Sequence, residues 1–370
     1  MWLDRFDLQN IEIPFKKPIR VGKETLVKKQ SLYLTLAFSN KKSGKGEISL
    51  LSGLINLSPE EVIKEVNLFL LPLLKRNLKA LDKPIEEVEL KELFFNKLPK
   101  TKLPSPVIFA IESALLDWNK VSFPDNFEHL FPGTVNDFSI PVNDLLYPTD
   151  QVFDLKASSF KIKVGRFNTD EEKKEEISFI KKVASRLKNL PPPSQRIRLD
   201  GNRSFSLKSL QKYIDLLDPT TLAQIEYLEE PLQNINEWKD FYKKNKIGLG
   251  LDESILDLEK QKISLPIGTK AFILKPSAIG GISKYFSYLN WVHEKGIKIV
   301  VSSTFESSLG LFVLSLLSSK EASTPSGLNT YKYLEEENPS YLFETIDGRM
   351  LIKKSSNLVF EAKQDNPHQL

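Results

Sequence analysis

Phe160-Lys161-Ile162-Lys163-Val164-Gly165 alternates apolar and basic side chains as a strand does. Phe160, Ile162 and Val164 share one face, and the two lysines share the other. If the apolar face packs under helices, both ammonium groups point into the interior of a closed sheet. The same parity recurs downstream. Arg196-Ile-Arg-Leu-Asp200 places Arg198 and Asp200 inward, Leu249-Gly-Leu-Asp252 places Asp252 inward, and Phe272 and Leu274 face out where Lys275 faces in. Lys163, Asp200, Glu229, Asp252 and Lys275 each close a strand-like run. They recur about 20–40 residues apart, the length of one strand, one helix and their loops in a parallel barrel.

Helical patterns over roughly 170–188, 207–217, 235–245 and 282–295 separate these runs, the first two entered through Thr169 and Ser206 as caps. Strand–helix alternation predicts a parallel sheet, and a run of such units each ending in a charged residue or hydroxyls predicts an α/β fold of the TIM-like (β/α)7–8 barrel kind. Pro191-Pro-Pro193 belongs to a loop in the long first interval. The first hundred residues read differently. Ser31 to Phe38 alternates as a half-buried strand, Lys41 to Gly44 supplies a turn, and Gly46 to Leu50 reads as its partner. Ser58-Pro-Glu-Glu61 has the form of a capping box, and Val107 to Trp118 reads as an apolar helix. The expected organisation is an α+β unit over 1–134, the barrel over 135–327, and a segment over 328–370 that packs back on the first unit. Gly280-Gly281 opens a helix whose amides could take a phosphate or carboxylate, or could be a plain tight turn.

With no cysteine in 370 residues, thiolate catalysis, disulfides and cysteine-held zinc are excluded. The three histidines, His129, His293 and His368, avoid the strand ends, so proton chemistry falls to lysine, carboxylate or tyrosine. A net charge of +4 from 52 basic and 48 acidic side chains leaves no dense basic arm, which argues against nucleic acid as a partner. Met1-Trp-Leu-Asp-Arg5 lacks a basic, apolar leader, and no apolar run is long enough to span a bilayer. A cytoplasmic location without membrane attachment is expected.

Acids from neighbouring strands repel one another unless a cation joins them. An all-oxygen set from Asp200, Glu229 and Asp252 suits Mg²⁺, with Mn²⁺ as a substitute, and leaves positions for a substrate carboxylate. Removing a proton next to a carboxylate builds a dianionic enediolate that needs concentrated positive charge, and a free lysine amine serves as base. A lysine base beside Mg²⁺ is an established pairing for this chemistry.

Lys161-Ile-Lys163, Asp200-Gly-Asn202, Leu228-Glu-Glu-Pro231, Asp252-Glu-Ser254 and Lys275-Pro276 together resemble the enolase superfamily in its muconate-cycloisomerase-like subgroup. The resemblance spans the chain, with the N-terminal unit similar to that family's capping domain. It implies Asp200, Glu229 (rather than Glu230) and Asp252 as metal ligands, Lys163 and Lys275 as the catalytic pair, and Lys161 as a supporting charge near the substrate carboxylate. Position 304 ends Val300-Val-Ser-Ser-Thr304, where the mandelate-racemase-like branch carries a histidine.

Within the subgroup, Ser302-Ser-Thr-Phe-Glu-Ser-Ser-Leu-Gly310 and Pro325-Ser-Gly-Leu-Asn-Thr330 are similar to segments of the o-succinylbenzoate synthase family. Thr304 replaces a serine, Ser326 is inserted, Asn329 replaces an aspartate, and Gly201 stands where alanine is usual. This resemblance implies syn-dehydration of a cyclohexadiene carboxylate to o-succinylbenzoate in menaquinone synthesis, with Ser302 and Ser303 as substrate-binding candidates for its distal carboxylate. Alternatives are an N-acylamino acid racemase of the same subgroup, a Schiff-base aldolase and a non-catalytic binding protein. Arg20-Val-Gly-Lys-Glu24 and Leu51-Ser-Gly-Leu54 are candidate lids or ordinary turns. The expected partner is a small carboxylate. The oligomeric state is left open, and a monomer is compatible.

Overall fold

The computed structural model describes residues 3–21, 24–55, 57–70, 84, 103–148, 156–188, 196–261, 264–321 and 323–355. Pro191–Pro193, Gly22, Lys23 and His368 lie outside these residues.

The chain begins with a three-stranded antiparallel sheet of β1 (Leu3–Val21), β2 (Glu24–Phe38) and β3 (Ser43–Leu50). The expected pair is there as β2 and β3, and β1, which the sequence reading did not assign, runs 19 residues beside β2. Alternation on β2 buries Leu32, Leu34, Leu36 and Phe38 against Val107, Ala110, Ile111, Ala114 and Trp118 of α2. Each such side chain taken from water contributes about 1.5–3 kcal/mol. Helix α1 (Pro59–Glu65) starts at Ser58 with a complete capping box to Glu61. Helix α2 (Ser105–Ser122) lies directly on β3. A Cβ on Gly44 or Gly46 would sit 1.9 or 2.0 Å from the carbonyl oxygens of Ala114 or Ala110, so only glycine permits the approach. Helix α3 (Pro124–Leu130) leads into the second half.

There, β4 (Phe138–Pro141) and β5 (Asp144–Leu146) precede β6 (Ser159–Lys163), α4 (Asp170–Lys188), β7 (Arg196–Asp200), α5 (Leu207–Ile214) and α6 (Pro219–Gln224). The chain continues through β8 (Ile225–Glu229), α7 (Trp238–Asn245), β9 (Leu249–Leu251), α8 (Ser254–Gln261), β10 (Thr269–Leu274), α9 (Pro276–Ile279), α10 (Gly281–His293), β11 (Lys298–Val301) and α11 (Ser308–Ser319). The seven strands β5 to β11 form one parallel sheet in chain order. Isolated parallel bridges, Val142 to Ser326 and Ser302 to Gly327, link the two edges, so Ser326–Gly327 stands between β11 and the residues leading into β5. Outward residues such as Phe160, Ile162, Ile197, Leu199, Phe272 and Leu274 join the apolar core beneath the helices.

The last hairpin, β12 (Tyr341–Ile346) and β13 (Arg349–Lys354), pairs with β4 rather than with the N-terminal sheet. Leu334 and Glu336, just before it, do reach that sheet. Leu334 bridges Phe15, and Glu336 accepts from the Tyr33 hydroxyl at 3.0 Å. Two further buried glutamates join the halves. Glu112 of α2 accepts from the backbone N–H groups of Ile282 and Ser283 at the start of α10. Glu47 of β3 accepts from the Ser307 N–H (2.8 Å) and hydroxyl (2.7 Å) ahead of α11. Both place carboxyl oxygens where helix amides are unsatisfied. The amides after Gly280-Gly281 thus take a carboxylate, and it is the chain's own. Among the described residues, no helix is long and apolar enough to cross a membrane.

Candidate active site

Strand register brings the charged residues to one rim. Lys163 pairs with Asp200 across β6 and β7, Asp200 with Glu229 across β7 and β8, and Glu229 with Gly250, two residues before Asp252. Lys275 follows β10. In strand order the two lysines flank the three acids, so they stand on opposite sides of the barrel mouth. Lys161 Nζ lies 2.8 Å from Asp200 Oδ2 and 2.7 Å from Glu229 Oε1. Lys163 also contacts Asp200 and donates to Asn202 Oδ1 at 2.9 Å, while Lys275 contacts Asp252. The acids are buried, and the lysines keep part of their surface open.

Among the described residues, no three acidic or histidine side chains are drawn together as a ready-made metal-ligand cluster. Each carboxylate instead turns to a lysine, because neighbouring anions repel and the ammonium groups supply the compensating charge. The repulsion is visible at Glu229, whose carboxyl is pushed up to about 7 by burial and by the charges of Asp200 and Asp252, against the pull of Lys161. Burial also pushes Asp200 up, but Lys161 and Lys163 outweigh it and hold that carboxyl well below the usual range. Asp252 is raised by burial and by Glu253, with Lys275 opposing. The lysines differ. Burial, helped by the Lys161 charge, lowers Lys163 despite Asp200, whereas Asp252 and Glu253 overcome burial and hold Lys275 above the ordinary lysine value. An all-oxygen set on three adjacent strands, with Asp200 and Asp252 raising Glu229, fits a hard divalent cation.

Glu229 and Glu230 take different directions. Glu230, at φ 38°, turns to the loop after β9 and accepts from the Asp252 and Ser254 N–H groups, the Ser254 hydroxyl and Arg203 Nε. Sequence reasoning gave Glu230, Asn202 and Arg166 no role, although Asn202 accepts from both Lys163 and Arg166 Nη2. The spacing of Asn202, two residues beyond Asp200 on the same rim, was the available signal.

The rim opens into a cavity of about 720 Å³ lined by Lys161, Lys163, Lys275, Ser302 and Ser303, and from the N-terminal half by Arg20, Val21, Leu51, Gly53 and Leu54. Arg20 and Val21 of the first candidate lid and Leu51, Gly53 and Leu54 of the second therefore line it, Gly22 and Lys23 lying outside the described residues. Ser303 Oγ lies 2.5 Å from Thr330 Oγ1, and Ser302 Oγ lies 3.5 Å from the Gly327 carbonyl oxygen. Thr304 turns its hydroxyl to Glu306 instead, at 2.6 Å. Asn329 donates to Asp144 Oδ1 at 2.8 Å, so an aspartate at this position would set two carboxylates against each other.

Residues 150–356 match the family described as Enolase C-terminal domain-like. The chain belongs to the enolase superfamily. Among its relatives, the o-succinylbenzoate synthase of Pasteurella multocida (strain Pm70) is 27% identical over 255 residues, spanning 68% of this chain and 71% of that protein. The o-succinylbenzoate synthase of Aliivibrio fischeri (strain MJ11) is 33% identical over 135 residues, or 36% of this chain and 41% of that protein. The muconate lactonizing enzyme from Pseudomonas fluorescens, solved with muconolactone, superposes with a TM-score of 0.72 at 18% identity, covering 96% of this chain and 95% of that one. An enolase-superfamily member from Roseovarius nubinhibens ISM, solved with magnesium, gives a TM-score of 0.67 at 14% identity, covering 94% and 92%. These likenesses show the enolase-superfamily barrel fold. Superfamily membership supports an enzyme of the lyase or isomerase kind.

Proposed function

We propose that the protein is an o-succinylbenzoate synthase, dehydrating 2-succinyl-6-hydroxy-2,4-cyclohexadiene-1-carboxylate to o-succinylbenzoate. The observation that carries this reading is the placement of Lys163 and Lys275 on opposite sides of one acid-lined rim, both open to the same cavity. The o-succinylbenzoate synthase relatives support the choice of reaction within the superfamily.

Asp200, Glu229 and Asp252 would hold Mg²⁺, or Mn²⁺ in its place. The bound cation supplies Lewis-acid relief of the negative charge that grows on the substrate carboxylate. Lys163 Nζ takes the proton alpha to that carboxylate. Lys275, as an ammonium ion on the far side, faces the electron-rich ring and stabilises its charge through a cation–π contact. Lys163 then returns the proton to the departing hydroxyl on its own side. The C–O bond breaks, water leaves and the ring becomes aromatic. Lys161 adds positive charge beside the carboxylate, and Ser302 and Ser303 hold the distal carboxylate. Asn202 orients Lys163. In this reading residues 1–134 cap the mouth and 135–327 form the catalytic barrel, with Leu334 and Glu336 of the last segment touching the cap while its hairpin pairs with β4, the whole acting in the cytoplasm.

The test is addition of the cyclohexadiene carboxylate with and without magnesium while following the aromatic product. Magnesium-dependent conversion is expected, and no conversion would sink the assignment. The two opposed lysines also suit a two-base N-acylamino acid racemase. Loss of optical rotation from an enantiopure N-acylamino acid, without any dehydration, would favour that reading.

A further inference from the structure

We infer that Lys29, together with Glu47, is a positioning residue for the substrate wall of the cavity, although both stand on the N-terminal sheet. The inference rests on the cavity being the active site described above. The side chains of Lys29 and Glu47 are fully buried. Lys29 Nζ spends its three donors on Glu47 Oε1 at 2.7 Å, Ser49 Oγ at 3.1 Å and the Phe305 carbonyl oxygen at 2.6 Å. Glu47 Oε2 accepts from the Ser307 N–H and hydroxyl and from the Gly310 N–H at 3.2 Å. A Cβ on Gly310 would lie 2.6 Å from that oxygen, so glycine lets the carboxylate in. One ion pair thus grips the backbone on both sides of Glu306.

The gripped segment forms the wall. Ser302, Ser303, Thr304 and Phe305 line the cavity. Phe305 has φ 60°, a left-handed conformation unusual for a non-glycine residue that surrounding structure must enforce. Its N–H donates to Ser303 Oγ at 3.3 Å, tying the turn to a hydroxyl proposed to bind substrate. Its ring packs edge-on against Phe15 of β1, with centroids 5.6 Å apart. A buried ion pair is a costly stabiliser that apolar residues often replace without loss. What apolar residues could not supply is the donor to Phe305 O and the acceptor for Ser307 N–H. Conformational specificity of the turn is therefore the gain, and it reaches the substrate through Ser303 and Phe305.

The decisive variant is Lys29→Met/Glu47→Gln, which removes both charges and leaves neither orphaned. Amide hydrogen exchange at Phe305–Ser307 is expected to rise at least about tenfold while exchange over 196–229 stays as in the wild type. KM for the cyclohexadiene carboxylate is expected to rise about tenfold or more, with kcat and the magnesium requirement changed far less. Wild-type exchange at Phe305–Ser307, or raised exchange with wild-type KM, overturns the inference. If the double variant does not fold, Lys29→Arg carries the test. Its planar head must shift the Phe305 carbonyl, so exchange and KM should rise together, and any other result overturns the inference. The exchange readout needs no substrate, so an inactive wild-type enzyme would count against the proposed reaction alone.

Discussion

Glu230 Oε1 accepts the backbone N–H of Asp252 at 2.7 Å, so the acid that faces away from the mouth fixes the one that faces into it. The same oxygen takes the Ser254 N–H at 2.8 Å, and Oε2 takes the Ser254 hydroxyl and Arg203. Partners of this kind orient metal ligands and are typically worth about 10–100-fold in affinity. Glu230→Ala removes both oxygens, and with them the acceptor for the Asp252 N–H. The expected result is a magnesium activation midpoint raised by that factor with the fold retained, checked by titration at saturating substrate. An unchanged midpoint would contradict the brace.

Asp252→Asn keeps the size of the side chain and removes its charge. The magnesium requirement should rise or activity vanish, and an activation curve like the wild type's would remove Asp252 from the ligand set.

Lys163→Ala deletes the proposed base. Turnover should fall by about 10²–10⁴-fold, the usual range for a positioned general base. Circular dichroism and magnesium binding should match the wild type. Near-normal dehydration by this variant would end the mechanism.

Glu112 makes stability depend on pH. Burial pushes its carboxyl up to about 8, although the Ser283 and Ile282 donors pull the other way. The folded state therefore binds this proton more tightly than the unfolded chain, whose carboxyl titrates near 4.5. The contribution is fully present below the unfolded value and is lost as pH rises through the folded one, with a slope of up to about 1.4 kcal/mol per pH unit. Urea unfolding of the wild type and Glu112→Gln between these limits should show the difference in stability drifting steadily against the wild type as pH rises. Parallel profiles would show that Glu112 is ionised throughout.

Gly46→Ala tests the contact between β3 and α2. The added methyl meets the Ala110 carbonyl at 2.0 Å, and relieving it must separate strand from helix. A loss of about 1–3 kcal/mol is expected from denaturant unfolding, the usual range for an overpacked core. An unaltered midpoint would mean the sheet and helix can slide apart freely.

Period-2 alternation made β2, β3, β6, β7, β9 and β10 legible, because one face of each strand is apolar, while β8 was marked by the acid that closes it. The capping box at Ser58 and the start of α4 followed from local side-chain chemistry in the same way. Strand β1 was harder, since Lys16-Lys17-Pro18 breaks its alternation where its register with β2 shifts. Helix α11 escaped for the opposite reason. Leu309 to Ser318 are all buried, so no polar face marks a helical period.

Residue order alone determined the alternating inward charges of the barrel strands, because side-chain direction in a strand is set by position parity. It also determined the run of acids and lysines along one rim. Adjacent acids at a strand end are alike until the backbone bends, so family resemblance alone favoured Glu229 over Glu230, and the folded chain turns Glu229 to the mouth and Glu230 to the loop after β9. Only the folded chain decided the roles of Glu112, Glu47 and Lys29, whose partners lie far along the chain and meet them only when the N-terminal unit packs on the barrel.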